Sequence, residues 1–314
     1  MWNLSYTACS FVLKRKYKQA QRMDLWGKFE NKNSGEQYAN FFEVLSSYCS
    51  LHKSLEDNSA EKRLYRMNLI DEQQNEGLHY MLIEIESGRY GYKSEITDKD
   101  TQKVAYHQKE SDAPLMKFYL TVVVPFVKDV VVYKGFMFFQ NYGQYGIKTT
   151  TVSALKEYFS NNLDSIMWVG NISPEIFVKT MMKSENIRKL YFVRNNVSRD
   201  DADNINFTYG KEQRIIERIH FTENFISRMV GYLAGGSRVF EFENKEYENV
   251  KVELDIGGRK RTIGLNNIEN VSIIESLPDD IKGSDGELDK DRLVSIICTQ
   301  AKEYMKHVIY CEQR

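Results

Sequence analysis

Two stretches of the chain spell the same seven positions. Gly88 to Ser94 and Gly143 to Thr149 both read Gly-x-Tyr-Gly-x-Lys-Ser/Thr, and each follows an apolar, strand-like run. The residue types suggest one chemistry. Tyr90 and Tyr145 offer flat rings on which a base can stack, while Lys93 and Lys148 offer charge for a nucleic-acid backbone. The competing reading is structural: glycine bends or bulges where two similar strands turn. A phosphate-binding P-loop fits poorly, because its lysine follows the last glycine directly and here Ile147 separates Gly146 from Lys148. The first copy also leads into EITDKDTQKVAYHQ, which reads as a hairpin rather than a helix.

Further positive charge is local. Arg259, Lys260 and Arg261 leave a Gly257-Gly258 turn, and strand alternation sets Arg259 and Arg261 on one face with Lys260 on the other. Arg188 and Arg194 flank the KLYFVR run, and Lys14, Arg15, Lys16, Lys18 and Arg22 cluster near the start. A charged hairpin edge that merely resists aggregation would look similar. Taken together these patches predict a basic face on a chain whose formal net charge is only −1, the footprint of a nucleic-acid binder. The expected contact set is Tyr90, Lys93, Tyr145, Lys148, Arg188, Arg194, Arg259, Lys260 and Arg261, with Lys93 and Lys148 aimed at one surface.

Catalytic signals are weak by comparison. His52, His79, His107, His220 and His307 show no paired metal-ligand spacing. Carboxylates approach one another in Glu84-Ile85-Glu86, Glu253-Leu254-Asp255 and Glu287-Leu288-Asp289. A metal-dependent nuclease would add an acid-x-Lys pair, and that spacing is absent at Glu84 and Glu86 although Lys93 lies near them in sequence. No catalytic residue, metal ligand or cofactor is therefore assigned. A Mg²⁺-dependent nuclease and a protein-interaction subunit without nucleic-acid binding stand as alternatives.

The elements that would carry these residues follow from composition and period. With 314 residues, 42% hydrophobic and 13% aromatic, the chain can bury a real core in one large domain or two ordinary ones. Its four cysteines are scattered without a C-x-x-C pair, which fits reduced thiols in a cytoplasm. The basic cluster near the start follows its short apolar stretch, so neither a signal peptide nor a membrane insertion is expected.

Strands are expected at 4–13, 64–70, 79–86, 103–108, 116–126, 134–140, 166–170 and 189–194. Helices are expected from about Ser34 with a Ser34/Gln37 capping box, at 153–159 capped by Thr151 or Ser153, and from Pro174. Beyond a polar stretch at 197–212, a helix from about Lys211 carries Ile215, Ile219, Ile226, Met229 and Leu233. A β-meander follows, and then a helix of about 289–310 with Leu293, Ile297, Ala301, Tyr304 and Val308 on one face. The expectation is an α+β protein: residues 1–200 form a mixed or antiparallel sheet with flanking helices, and residues 201–314 a smaller helix, β-meander and helix part.

The order of GFMFFQNYGQYGIKTTTVSALKEYF, then IMWVGNISPEIFVKTMMKSENIRKLYFVRNNVSRDDAD, then a β-rich segment and the helix after GSDGELDKDRL resembles the layout of the RexA family of phage lambda exclusion proteins. The resemblance spans about residues 115 to 310 and is one of element order, so it brings no site residues with it. It implies a cytoplasmic DNA-binding protein of bacterial antiviral defence, and the absence of a catalytic signature agrees with a non-enzymatic one. Such a protein would bind double-stranded phage DNA, assemble as a homodimer or higher homo-oligomer, and act with a membrane-protein partner.

Overall fold

The computed structural model describes residues 4–75, 77–143, 145–170, 172, 187–194, 212–217, 240–242, 245–247, 249–256, 259–264, 273–283, 287–306 and 310–313. The chain is α+β and forms two compact units. The first comprises 1–169, 278–305 and 309–314, and the second 170–277 with 306–308. The expected boundary near residue 200 falls within 195–211, outside the described residues. The last helix belongs to the first unit rather than to a separate C-terminal part.

In the first unit the strands run in the order β1 (Leu4–Arg15), β2 (Lys18–Arg22), β3 (Phe29–Glu30), β4 (Gln37–Tyr38), β5 (Glu56–Asn58), β6 (Arg63–Asn75), β7 (Leu78–Arg89), β8 (Ser94–Thr97), β9 (Val104–Gln108), β10 (Met116–Pro125), β11 (Val130–Val132), β12 (Lys134–Tyr142) and β13 (Ser165–Gly170). Helix α1 (Phe41–Leu51) precedes β5, and α2 (Lys148–Asn162) lies between β12 and β13. The main sheet is ordered β13-β1-β12-β10-β7-β6-β5, with β2 folded back on β1, while β8 and β9 make a separate hairpin.

Burial on both faces explains why β1, β7, β10 and β12 read as nearly continuous apolar runs rather than alternating ones. On one face Phe11 of β1, Ile83 and Ile85 of β7, Leu120 and Val122 of β10, and Met137 and Phe139 of β12 join a core completed by α1 and α2. Phe41 is central there: its ring lies 4.9 Å from Phe11 and 5.8 Å from Phe159, joining β1, α1 and α2. The other face carries Phe136 and Phe138, whose rings meet Tyr304 of α3 (Lys290–Met305). Leu293, Ile297, Ala301 and Tyr304 of α3 are buried as its spacing predicts, and Val308 lies outside the described residues.

Gly135 of β12 sits opposite Phe11, and a β-carbon there would fall 2.4 Å from a Phe11 ring carbon. The side-chain-free position is what lets the aromatic ring cross the strand.

The second unit is built on an antiparallel sheet ordered β15 (Glu212–Glu217), β14 (Ile187–Arg194), β18 (Asn249–Ile256), β19 (Arg259–Gly264). A small hairpin pairs β16 (Phe240–Phe242) with β17 (Lys245–Tyr247). Strands β20 (Ile273–Ser276) and, in the first unit, β21 (Cys311–Gln313) complete the set. Leu190, Phe192, Val250, Val252 and Tyr247 are buried, with the Phe192 and Tyr247 rings 5.4 Å apart.

Three local expectations are corrected. The first helix starts at Phe41, not near Ser34. Asn40 is the N-cap and accepts hydrogen bonds from the Phe42 and Glu43 amides, while Glu43 accepts one from the Ala39 amide. A side chain that satisfies two orphan amides outweighs the Ser34/Gln37 pattern, and Ser34 instead lies in the turn joining β3 to β4. Second, α2 begins at Lys148, so Thr151 and Ser153 lie inside it and cap nothing; its N-cap Ile147 offers no side-chain bond. Third, residues 212–217 are a strand, not the start of a helix, because pairing with β14 claims their backbone; residues 218–239 lie outside the description. The helix expected from Pro174 and the Gly257-Gly258 turn also lie outside it, although Ile256 pairs with Arg259 as a two-residue connection requires.

Three outcomes test this packing. Asn40→Ala should lower stability by about 1 kcal/mol and Gly135→Ala by about 1–3 kcal/mol in urea denaturation. Burial pushes the Cys9 and Cys49 thiols up to about 12. Folded thiols thus hold their protons more tightly than unfolded ones. Their contribution to stability is complete below about pH 8.5 and is lost as pH rises toward the folded values. At pH 8 both should resist iodoacetamide in the native protein and react once it is unfolded.

Candidate nucleic-acid interface

The two Gly-x-Tyr-Gly-x-Lys copies lie at the same end of the main sheet. Strands β7 and β12 are both antiparallel to β10, hence parallel to each other, and Ile83, Leu120 and Phe139 fall in one row. Their backbones nevertheless differ. In the first copy the second glycine, Gly91, takes a left-handed φ of 96°, and in the second copy the first glycine, Gly143, does so at 55°. The remaining glycines answer to close neighbours instead: a β-carbon at Gly88 would meet the Pro114 carbonyl and one at Gly146 the Asn141 side chain. One copy opens into the β8–β9 hairpin, whereas the other closes a tight Tyr142–Tyr145 turn and starts α2. The same spelling therefore serves two different bends.

Charges of both signs meet at this end, where Arg63 of β6 lies across from Arg89 of β7 and 3.7 Å from Glu61. The Tyr90 hydroxyl donates to Asp57 at 2.7 Å, and Lys93 lies 3.8 Å from Glu110. Tyr145 is half-exposed, and its backbone exchanges two hydrogen bonds with Tyr142. Lys148 opens α2, near enough to Cys9 to act on its thiol electrostatically. A cleft of about 210 Å³ between α2 and strands β6 and β7 is lined by apolar Met67, Ile85 and Ile147, but also by Glu61 and Glu157. Bringing two tyrosines and two lysines to one edge has not made that edge a simple cationic one.

In the second unit, Arg188 is exposed on β14, while Arg194 is largely buried in a cross-strand ion pair with Glu212 at 2.8 Å. Arg259, Lys260 and Arg261 occupy β19 opposite Ile256, Asp255 and Leu254, and their side chains lie outside the description.

The nuclease alternative centred on the β7 carboxylates. Glu84 is buried, accepts a hydrogen bond from the Tyr119 hydroxyl at 3.1 Å and lies 3.9 Å from Lys290; burial, with Glu84 and Glu287 beside it, pushes the Tyr119 hydroxyl up. Glu86 is gripped by Arg66, one guanidinium nitrogen meeting both carboxylate oxygens at 3.0 and 2.9 Å. Among the described residues, no group of three His, Cys, Asp or Glu side chains is placed to hold a metal ion. The same residues include no helix long and apolar enough to cross a membrane.

The opposite end of the sheet is different in chemistry. There β1 turns into β2 at Lys16 and Tyr17, and an irregular pairing, shifted in register between Lys14 and Arg15, sets Lys14 across from Arg22 and Arg15 across from Lys18. Like charges directly opposite each other oppose strand pairing. Two of these cations rest on aromatic faces: Lys14 Nζ is 4.7 Å from the centre of the Trp168 ring on β13, and the Arg22 guanidinium 4.4 Å from Tyr133. Lys16 donates to the Ser160 carbonyl. Half-buried Lys134 is held below the usual lysine range by burial and by Arg22 beside it. Nearby, Asp164 pairs with Lys32 at 2.7 Å, and Asp24 accepts from the Trp26 and Val132 amides.

The tyrosine inside the run KRKYK was a legible signal for this surface. Trp168 was not, because only the placement of β13 beside β1 brings it there. Comparison of the chain with protein families, curated proteins and solved structures gave no match.

Arg194 acts within its own sheet. Arg194→Ala is expected to lower stability by about 1–2 kcal/mol in denaturant unfolding and to leave nucleic-acid affinity within error of the unaltered protein.

Proposed function

We propose that this protein is a non-enzymatic nucleic-acid-binding protein whose backbone-contacting surface is the β1–β2 end of the main sheet. The observation that carries the proposal is the gathering of cations where β1 pairs with β2, Lys14 in register with Arg22 and, beyond a register shift, Arg15 with Lys18. Such pairs cost stability in the free protein. A polyanion bound across the hairpin removes the repulsion and gains charge-assisted contacts, so the strain becomes binding energy when phosphates arrive. The carboxylates around Tyr90, Lys93 and the 210 Å³ cleft make the other end a weaker candidate, although the two tyrosines and two lysines of the repeat gather there.

The likeness in element order to the RexA family extends the proposal to a setting. The protein would act in the bacterial cytoplasm in antiviral defence, as a homo-oligomer with a membrane-protein partner, responding to phage DNA.

Lys18→Glu separates this from the idea of an ordinary solvated edge. The change turns the Arg15/Lys18 repulsion into an opposite-charge pair, so it should raise stability by about 0.5 kcal/mol. It should also weaken binding to labelled DNA several-fold and reduce the slope of log affinity against log salt by about one phosphate contact. Lys93→Glu with Lys148→Glu, by comparison, should weaken binding less. Higher stability with unchanged affinity would reject the β1–β2 surface, and DNA cut only when Mg²⁺ is present would reject the non-enzymatic assignment.

A further inference from the structure

Trp168 and Tyr17 are out of place for a surface that only grips phosphates. Trp168 lies on β13 with 52% of its surface exposed, and Tyr17 at the hairpin tip is 82% exposed. Both belong to the cationic surface: Trp168 carries the Lys14 ammonium, and Tyr17 stands between Lys16 and Lys18. A regular duplex offers its phosphates outward and keeps its bases stacked inside, so exposed rings gain little from it. An unpaired strand presents bases that can leave their neighbours and lie on an aromatic ring while the phosphates between them meet lysine and arginine.

From this juxtaposition we infer that the β1–β2 surface takes single-stranded nucleic acid, with bases stacked on Trp168 and Tyr17 and the backbone held by Lys14, Arg15, Lys18 and Arg22. The inference rests on the binding function proposed above and replaces its expected duplex ligand with an unpaired one. Selectivity for a base is not built in, because every base has a ring face and the groups around it are cations rather than a fixed donor and acceptor pattern. The Lys14 ammonium is already desolvated on one side by the indole, so a phosphate approaching beside a stacked base meets a pre-positioned charge.

The test is a titration of the full chain with a fluorescently labelled oligothymidylate of about 16 nucleotides and with a duplex of the same length, at low salt. The single strand should bind at least about tenfold more tightly than the duplex, and Trp168 fluorescence should be quenched on binding. Trp168→Ala and Tyr17→Ala should each weaken single-strand binding about tenfold and duplex binding distinctly less, and Trp168→Phe should keep most of the affinity. Equal affinity for both forms, with silent aromatic variants, would overturn this inference and leave the binding function standing. No binding of either form at low salt would overturn both.

Discussion

The first unit depends on covering both faces of one antiparallel sheet. Strands β1, β12, β10 and β7 have no solvent face over most of their length, so each needs a helix on either side before it can leave water. The Phe11–Phe41–Phe159 aromatic chain does this on one face and the Phe136/Phe138–Tyr304 contact on the other. The burial also fixes register. A one-residue slip of β12 against β1 would carry Gly135 away from Phe11 and put a side chain where the ring must pass. Helix α3 reaches the sheet from far along the sequence, which ties residues 290–305 to the first unit.

A sheet closed on both faces leaves its two ends as the places where polar chemistry can be displayed. At one end the strand termini of β7 and β12 meet Asp57, Glu110, Glu61 and Glu157. At the other, the β1–β2 turn gathers lysines and arginines and rests two of them on rings. Each end still carries both signs: Arg63 lies across from Arg89 at the first, and Asp164 pairs with Lys32 near the second. Local field rather than total charge sets what an anionic ligand experiences. Of the buried carboxylates, Glu84 meets Tyr119 and Lys290 of α3 and helps seat the helix, while Glu86 is held by Arg66 of β6.

Much of the architecture was legible in the sequence because its cause is local. The strand runs 116–126 and 134–140 and the apolar stripe of α3 follow from period and residue type, and the observed strands and helix match them to within a few residues. Errors fell where two local signals competed. Ser34/Gln37 and Asn40/Glu43 are both plausible starts for α1, and the second prevailed because Phe41 and Phe42 immediately after it enter the core. Residues 212–217 carry isoleucines at a spacing that a helix tolerates, but the neighbouring edge of β14 offered backbone partners that a lone segment cannot reveal. The doubled Gly-x-Tyr-Gly-x-Lys motif was equally visible and equally ambiguous: spelling specifies which residues are present, and the flanking elements decided which glycine takes the left-handed conformation.

By itself, then, the sequence determined an α+β chain of apolar strands, an amphipathic last helix, and several separate basic clusters. These depend on residue type and on periods of two or 3.6 residues, which act between near neighbours. Only the tertiary structure decided which basic cluster lies beside exposed rings and which lies among acids. Lys14 and Trp168 are brought together by β13 lying beside β1, and Lys93 and Glu110 by the chain's return through the β8–β9 hairpin. Such neighbours are set by strand pairing and by the burial of faces far apart in the chain, and no local pattern encodes the partner.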